Sequence, residues 1–111
     1  MDMSVCSEAC LTTHRLCTET AIHVLHGGQK GHNEAEHLTA LLDCAQMSIT
    51  SADFMTRRSP HHTHVCAECA EICDACVKLC EAHPDPDGQM QRCAEACRRS
   101  AQTCREMGQV R

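Results

Sequence analysis

The stretch of the chain with the clearest chemical potential is a run of cysteines between residues 66 and 80. Its members recur at steps of three and four residues and are Cys66, Cys69, Cys73, Cys76 and Cys80. Residues at this spacing lie on one face of an α-helix, with Cβ atoms about 5–6 Å apart. The run therefore predicts a helix that presents a continuous line of sulfur atoms to its neighbours.

Cysteine also dominates the rest of the sequence. The chain of 111 residues contains 12 cysteines but one phenylalanine, no tryptophan and no tyrosine. The other cysteines are Cys6, Cys10, Cys17, Cys44, Cys93, Cys97 and Cys104. Because a buried thiol packs as a small apolar group, the composition predicts a compact helical protein whose core consists largely of sulfur.

Charge and hydropathy exclude several classes of function. The net charge is −5, and charges of both signs are spread along the chain, so no basic patch indicates nucleic-acid binding. No apolar stretch approaches the roughly 18 residues of a membrane helix. The first residues resemble no secretion signal, so we expect a cytoplasmic protein. The acidic residues fall on outward helix faces and no catalytic constellation accompanies the thiols, so we do not expect an enzyme.

The periodicity predicts an all-α protein, a single domain over residues 1–111 that forms an antiparallel up-down-up-down four-helix bundle with a cysteine-lined core. The helices are expected at about 3–26, 34–57, 60–82 and 86–107. A glycine-rich loop follows the first helix. The residues expected to cap or begin the four helices are, in order, Asp2 or Ser4, Asn33, Ser59 with Pro60, and Asp85 with Pro86. Gly108 is expected directly after the last helix.

Antiparallel threading also predicts which cysteines share a level of the bundle. Cys6 and Cys104 are expected at one end with Cys66 and Cys69, and Cys17, Cys80 and Cys93 toward the other. Cys10, Cys44, Cys73 and Cys97 are expected in between.

The second helix differs from the others because its inward stripe carries only Cys44, followed by Ser48 and Ser51. A neighbouring stripe is also apolar and consists of Leu38, Leu42, Ala45, Ile49 and Ala52. Either the core face of this helix is wide, or the second stripe forms a subunit interface.

Thiols in such numbers serve as disulfides, as metal ligands or as inert packing. A cytosolic chain disfavours stable disulfides. A disulfide also needs Cβ atoms about 3.5–4.5 Å apart, closer than two residues of one CxxxC pair on a helix. Inert packing explains one or two buried cysteines rather than a whole line of them, so the pattern favours metal binding.

Soft thiolates select Cu(I), zinc or iron–sulfur clusters. Zinc and cluster sites usually take their ligands from loops and turns, whereas paired cysteines on rigid helices suit a two-coordinate soft ion. One Cu⁺ per thiolate leaves a neutral core, whereas four thiolates around Zn²⁺ bury two negative charges. We therefore expect several Cu(I) ions per monomer, with all twelve cysteines as ligands. The alternatives are a zinc reservoir and a thiol-based metal or redox sensor.

Methionine and histidine are weaker copper ligands that cluster near the expected bundle ends. The bundle end that contains the N-terminus of the first helix holds Met3, Met55, Met107, His61, His62 and His64. The opposite end holds His37, His83 and Met90, with His23, His26 and His32. These residues fit copper uptake, and they equally fit core packing and solvated loops.

The layered CxxxC pairs of the bundle, the cysteine run and the nearby histidines resemble the bacterial copper storage proteins over essentially the whole chain. This resemblance implies a bundle that stores many Cu(I) ions in its core and assembles as a homotetramer, with a copper chaperone as candidate partner. The chain looks like the cytosolic branch of that family. It departs from the family on the second helix, where relatives commonly have several cysteines.

Overall fold

The computed structural model describes residues 3–27, 34–83, 85 and 87–109. In this part of the chain the regular structure consists of the helices α1 (Met3–Gly27), α2 (Glu34–Thr56), α3 (His62–Glu81) and α4 (Gln89–Gly108). Each helix packs against two others, so that α1 and α3 both contact α2 and α4. The molecule is a rod of 44 × 18 × 17 Å. These features confirm the predicted all-α four-helix bundle.

The core runs along the axis of this ring of helices. The predicted inward stripes are buried on every helix, with large apolar side chains only at intervals, such as Leu41, Met55 and Met90. Alanine fills many of the remaining inward positions. Small side chains let the helices approach closely, so the thiols of facing helices come within reach of one another.

The turn between α2 and α3 begins at Arg58, whose φ of 55° is left-handed. The amide of Ser59 donates to the Phe54 carbonyl and that of Arg58 to the Met55 carbonyl, which is the Schellman arrangement. The predicted helix start at Pro60 is wrong by two residues. Ser59 instead accepts hydrogen bonds from the His61 and His62 amides in a turn, and α3 begins at His62.

The last helix also begins later than predicted, at Gln89 rather than at residue 86. Gly88 occupies the position before it with a φ of 79°, a left-handed conformation that glycine adopts without strain. Asp85 still caps the helix from a distance, because its carboxylate accepts hydrogen bonds from the amides of Met90 and Gln91. Its negative charge also stabilises the positive end of the helix dipole.

Gly108 does not follow α4 but is its last residue. A Cβ atom there would lie 3.0 Å from the backbone of Ala67, so glycine permits close contact between α4 and α3. Ser4 lies within α1 rather than before it. The predicted caps Asp2 and Asn33, residues 28–32 of the glycine-rich loop with His32, and Pro86 lie outside the described residues. Among the described helices, none is long and apolar enough to cross a lipid bilayer.

Candidate metal centre

All twelve predicted ligand cysteines line the bundle core as free thiols. None is more than 1% exposed to solvent. Helix α3 supplies the unbroken line Cys66, Cys69, Cys73, Cys76 and Cys80, all on its buried face. The other helices supply facing thiols, so sulfur from several directions converges on the axis.

The sulfur atoms approach one another closely without bonding. Sγ of Cys104 lies 3.6 Å from that of Cys6 and 3.4 Å from that of Cys10. Further along the axis, Sγ of Cys17 lies 3.7 Å from that of Cys93 and 3.6 Å from that of Cys97. A disulfide bond is about 2.05 Å long, so these are contacts between separate thiols.

Three groups of thiols are compact enough to hold a metal ion. Within each group the sulfur atoms all lie within 4.8 Å of one another, and the groups are Cys6 with Cys10 and Cys104, Cys17 with Cys44, Cys76 and Cys97, and Cys76 with Cys80 and Cys93. Metal–thiolate bonds are about 2.3 Å long in zinc sites, so an ion bridging two sulfurs needs them about 4.6 Å apart or closer. The core therefore offers several adjoining sites.

The pairing of levels agrees with the antiparallel threading except at Cys17, which groups with Cys44 and Cys97 of the middle level as well as with Cys93, and at Cys10. That residue was expected midway along the bundle with Cys97 and Cys73, but its sulfur contacts Cys104 near the end. The lone thiol of α2, Cys44, lies 3.5 Å from Cys73 and 3.8 Å from Cys97 at the middle level. Thr13 is the inward residue of α1 between Cys10 and Cys17, and its hydroxyl lies 2.5 Å from that of Ser100 on α4.

The thiols titrate as a network. Hydrogen bonds from Cys17, and then from Cys73 and Cys76, hold the pKa of Cys44 below its ordinary value. The pKa of Cys17 is raised, because its thiol donates to Cys44 and is buried. For Cys66 the hydrogen bond with Cys104 lowers the pKa, but the bond to Cys6 and burial outweigh it and raise the pKa to about 12. Most of the core thus carries protons in the absence of metal.

The histidine end of the core contains a direct contact between imidazole and thiol. His37 is fully buried, and its Nε2 atom lies 3.4 Å from Sγ of Cys80. The ring of His83 stacks on it with centroids 4.2 Å apart, and Nδ1 of His83 donates to the Leu79 carbonyl. Met90 is buried at this end, beside an open groove of about 380 Å³ that reaches Cys80. The structure therefore brings together His37, His83 and Met90, as the sequence predicted.

The remaining histidines predicted near this end are separate from the thiols. His23 is half-buried and lies 3.4 Å from the Asp87 carboxylate, and His26 is exposed. Within the described part of the chain, neither forms a hydrogen bond with a cysteine.

The methionine end is closed by apolar packing rather than by ligand contacts. Met55 and Met107 are buried, and Met3 packs against the core from the edge. His61 and His64 are exposed. His62 donates from Nδ1 to the Ser59 carbonyl, and its buried Nε2 has no hydrogen-bond partner among the described residues. This end thus holds potential ligands, with Met55 and Met107 packed in the same core cluster as the thiols.

Sequence reasoning gave no role to the buried hydroxyl groups between the thiols. The hydroxyls of Thr13 and Ser100 lie 2.5 Å apart, and each donates to a carbonyl of the opposite helix, at Ala96 and Ala9. Their positions on the inward stripes predicted that they are buried. The stripes do not show, however, that these hydroxyls form hydrogen bonds to a neighbouring helix.

The profile of the Copper storage protein family matches residues 1–109. Among solved structures, a protein from Nitrosospira multiformis is 41% identical, with a TM-score of 0.86 over 96% of this chain and 94% of that one. Apo copper storage protein 3 from Bacillus subtilis is 30% identical, with a TM-score of 0.84 over 95% of this chain and 97% of its own. No curated protein sequence matches at a significant level.

The Cu(I)-bound form of copper storage protein 3 is also similar. It is 29% identical, with a TM-score of 0.87 over 97% of this chain and 99% of that one. The backbone described here thus resembles both the metal-free and the copper-bound relative.

Proposed function

This chain belongs to the copper storage protein family, and we propose that it stores several Cu(I) ions as thiolate complexes along the axis of its bundle. The observation that carries the proposal is the core of twelve free, buried thiols, in which neighbouring sulfurs lie 3.4–3.9 Å apart. Thiolate is a soft ligand and Cu(I) a soft ion. Family membership supports a proposal of storage rather than catalysis.

Exchange of a proton for Cu⁺ leaves the charge of such a core unchanged. Burial and thiol–thiol hydrogen bonds hold protons on most of the sulfurs, as the raised pKa of Cys66, about 12, illustrates. A Cu⁺ that binds a thiol releases one H⁺, so the charge of the core does not change. Neutrality matters because an uncompensated charge in this dry interior would cost several kcal/mol.

A zinc reservoir is the second candidate, and one observation favours it. Cys17, Cys44, Cys76 and Cys97 form a closed group of four buried thiols, the number that structural zinc takes. A single Zn²⁺ could bind there. The two remaining compact groups have three thiols each and suit zinc less well.

We propose that copper enters the core at the histidine end, which contains His37, His83 and Met90. His37 contacts Cys80 directly, and His83, Met90 and Cys80 all line one open groove. Imidazole binds copper more weakly than thiolate, so an ion captured by His37 or His83 could move inward to Cys80. Met3, Met55 and Met107 close the other end and serve as packing in this proposal.

The protein is proposed to work in the cytoplasm as a homo-oligomer, with tetramer as the form that the family resemblance implies. The cytoplasm keeps thiols reduced, as storage requires. The outer face of α2 offers a contact surface, because its Leu42 side chain is 51% exposed. Ala45 and Ala52, which belong to the same predicted stripe, are instead buried within the bundle. A copper chaperone is the proposed donor. Light scattering would measure the oligomer mass, and a monomer at micromolar concentration would rule the assembly out.

The experiment that tests the function is an anaerobic titration of the reduced protein with Cu(I) against a competing chelator, beside the same titration with Zn²⁺. Storage predicts on the order of ten Cu(I) per monomer, close to one per thiol. Saturation near one to three ions, with zinc binding as tightly as copper, would favour the zinc reservoir. No uptake of either ion would contradict both candidates.

A further inference from the structure

Contacts between sulfur atoms divide the core into two sets. The first thiol set consists of Cys6, Cys10, Cys66, Cys69 and Cys104, linked by hydrogen bonds among neighbours. The second thiol set consists of Cys17, Cys44, Cys73, Cys76, Cys80, Cys93 and Cys97. Within each set every sulfur has at least one sulfur partner.

One hydrogen-bonding contact between sulfurs joins the two sets among the described residues. It links Cys69 to Cys73 on α3, with the sulfurs 3.9 Å apart. The compact groups that could hold a metal ion each fall wholly within one set.

Hydroxyl side chains occupy the level between the sets on the other three helices. Thr13 of α1, Ser48 of α2 and Ser100 of α4 are all fully buried. Thr13 lies between Cys10 and Cys17 in sequence, and Ser100 between Cys97 and Cys104. Ser48 lies 4.0 Å from the Cys69 sulfur, at the same level. These residues, Thr13, Ser48 and Ser100, are called the hydroxyl layer below.

The hydroxyl layer is a poor ligand set for Cu(I). Alcohol oxygens are hard and uncharged, whereas Cu(I) prefers soft thiolate. Thr13 and Ser100 are also committed elsewhere, because they contact each other and donate to carbonyls of the opposite helices. Moving either hydroxyl onto a metal ion would give up its hydrogen bond to the carbonyl of the opposite helix.

Resting on the proposed function, we propose that the core is two separate Cu(I) stores, divided by the hydroxyl layer and connected only through Cys69 and Cys73. Bridging thiolates couple ions within each store, and the layer interrupts that bridging on α1, α2 and α4. The second thiol set includes Cys80, which His37 contacts, so it fills first. Ions reach the first thiol set afterwards, along α3.

Two triple variants test the division. One carries Cys6→Ala, Cys10→Ala and Cys104→Ala, and the other carries Cys17→Ala, Cys44→Ala and Cys97→Ala. Independent stores predict that the set left intact keeps its ions, with chelator-measured affinities within about twofold of the parent, because sites that share no partners are additive to that degree. Native mass spectrometry counts the ions, and circular dichroism confirms helicity. A change of about tenfold or more in the intact set would overturn the proposal.

A single substitution tests the layer without removing any ligand. Ser100→Cys places a thiol between the stores, and we expect it to merge the two loading phases of the parent into one. Its matched control is Ser51→Cys, which adds a buried thiol beside Cys69 within the first thiol set and should leave two phases. One loading phase in the parent itself would overturn the division while leaving storage intact. A parent that takes up no Cu(I) would overturn both.

Discussion

The Nε2 atom of His37 lies 3.4 Å from the Sγ atom of Cys80, and the ring of His83 stacks on it at the end of the bundle. Here an imidazole, rather than another thiol or a hydroxyl, is within hydrogen-bonding distance of a core thiol. It connects the surface of the protein to the second thiol set.

This contact predicts that His37→Ala slows Cu(I) uptake several-fold while changing the capacity by one ion at most, because His37 passes ions to the thiols rather than storing them. Stopped-flow mixing with a Cu(I)–chelator complex measures the rate. The matched control is His64→Ala, an exposed histidine at the methionine end. If His64→Ala slowed uptake and His37→Ala did not, copper would enter at the methionine end, which would contradict the proposed uptake site.

The metal-free protein is predicted to be folded. Thiols and alanines already bury one another in the core, so helix packing needs no bound ion. Copper should then raise the melting temperature by mass action, since it binds only the folded core tightly. Circular dichroism of the reduced apo protein checks this. A random-coil spectrum that becomes helical only with Cu(I) would mean that metal creates the fold.

The raised pKa of Cys66 predicts how the stability of the apo protein depends on pH. The folded chain holds this proton up to a pKa of about 12, whereas the unfolded thiol loses it near the reference value of 9.0. The stabilisation is therefore complete below pH 9 and is lost as pH rises toward 12. The melting temperature of apo protein should fall across this window, less steeply in Cys66→Ala. Equal slopes for the two proteins would contradict the assignment.

The hydrogen bond from Thr13 of α1 to the Ala96 carbonyl of α4 predicts a structural rather than a metal-binding effect. Thr13→Val removes the hydroxyl that bonds α1 to α4, and it should cost about 1–3 kcal/mol of unfolding free energy because buried polar partners remain. Copper capacity should not change. Urea unfolding measures the cost against Thr18→Val, whose exposed hydroxyl bonds only its own helix. A lower copper capacity in Thr13→Val would show that the hydroxyl layer binds metal.

The sequence was sufficient to predict the bundle and the burial of every cysteine, because a period of three and four residues determines which face of a helix is inward. It did not predict the start of α4, since the cap comes from Asp85 several residues upstream through a left-handed Gly88. It also misplaced Cys10. The position of a residue along the bundle axis depends on how far its helix is shifted relative to the neighbouring helices. The pattern of inward residues on one helix contains no information about that shift.

The methionines and histidines that were predicted as additional copper ligands differ in their surroundings, and the sequence did not predict this difference for a similar reason. Both ends of the bundle hold methionine and histidine, and their spacing gives no means of ranking them. Only packing distinguishes the ends: His37 lies against a thiol, whereas His61 and His64 are exposed. The wide apolar face of α2 also proved mixed, with Leu42 outside and Ala45 inside.

The central claim is that Cu(I) lies along the bundle axis, and the most direct test is the copper capacity of a variant with Cys69→Ala, Cys73→Ala and Cys76→Ala. Alanine keeps helix propensity high, so the fold should survive with some cost from cavities. The variant should lose more than three Cu(I), because bridged ions lose thiolates that they share with neighbours. Ser48→Cys, as the control, should keep or raise capacity. A triple variant that binds as much Cu(I) as the parent would contradict storage in the bundle core.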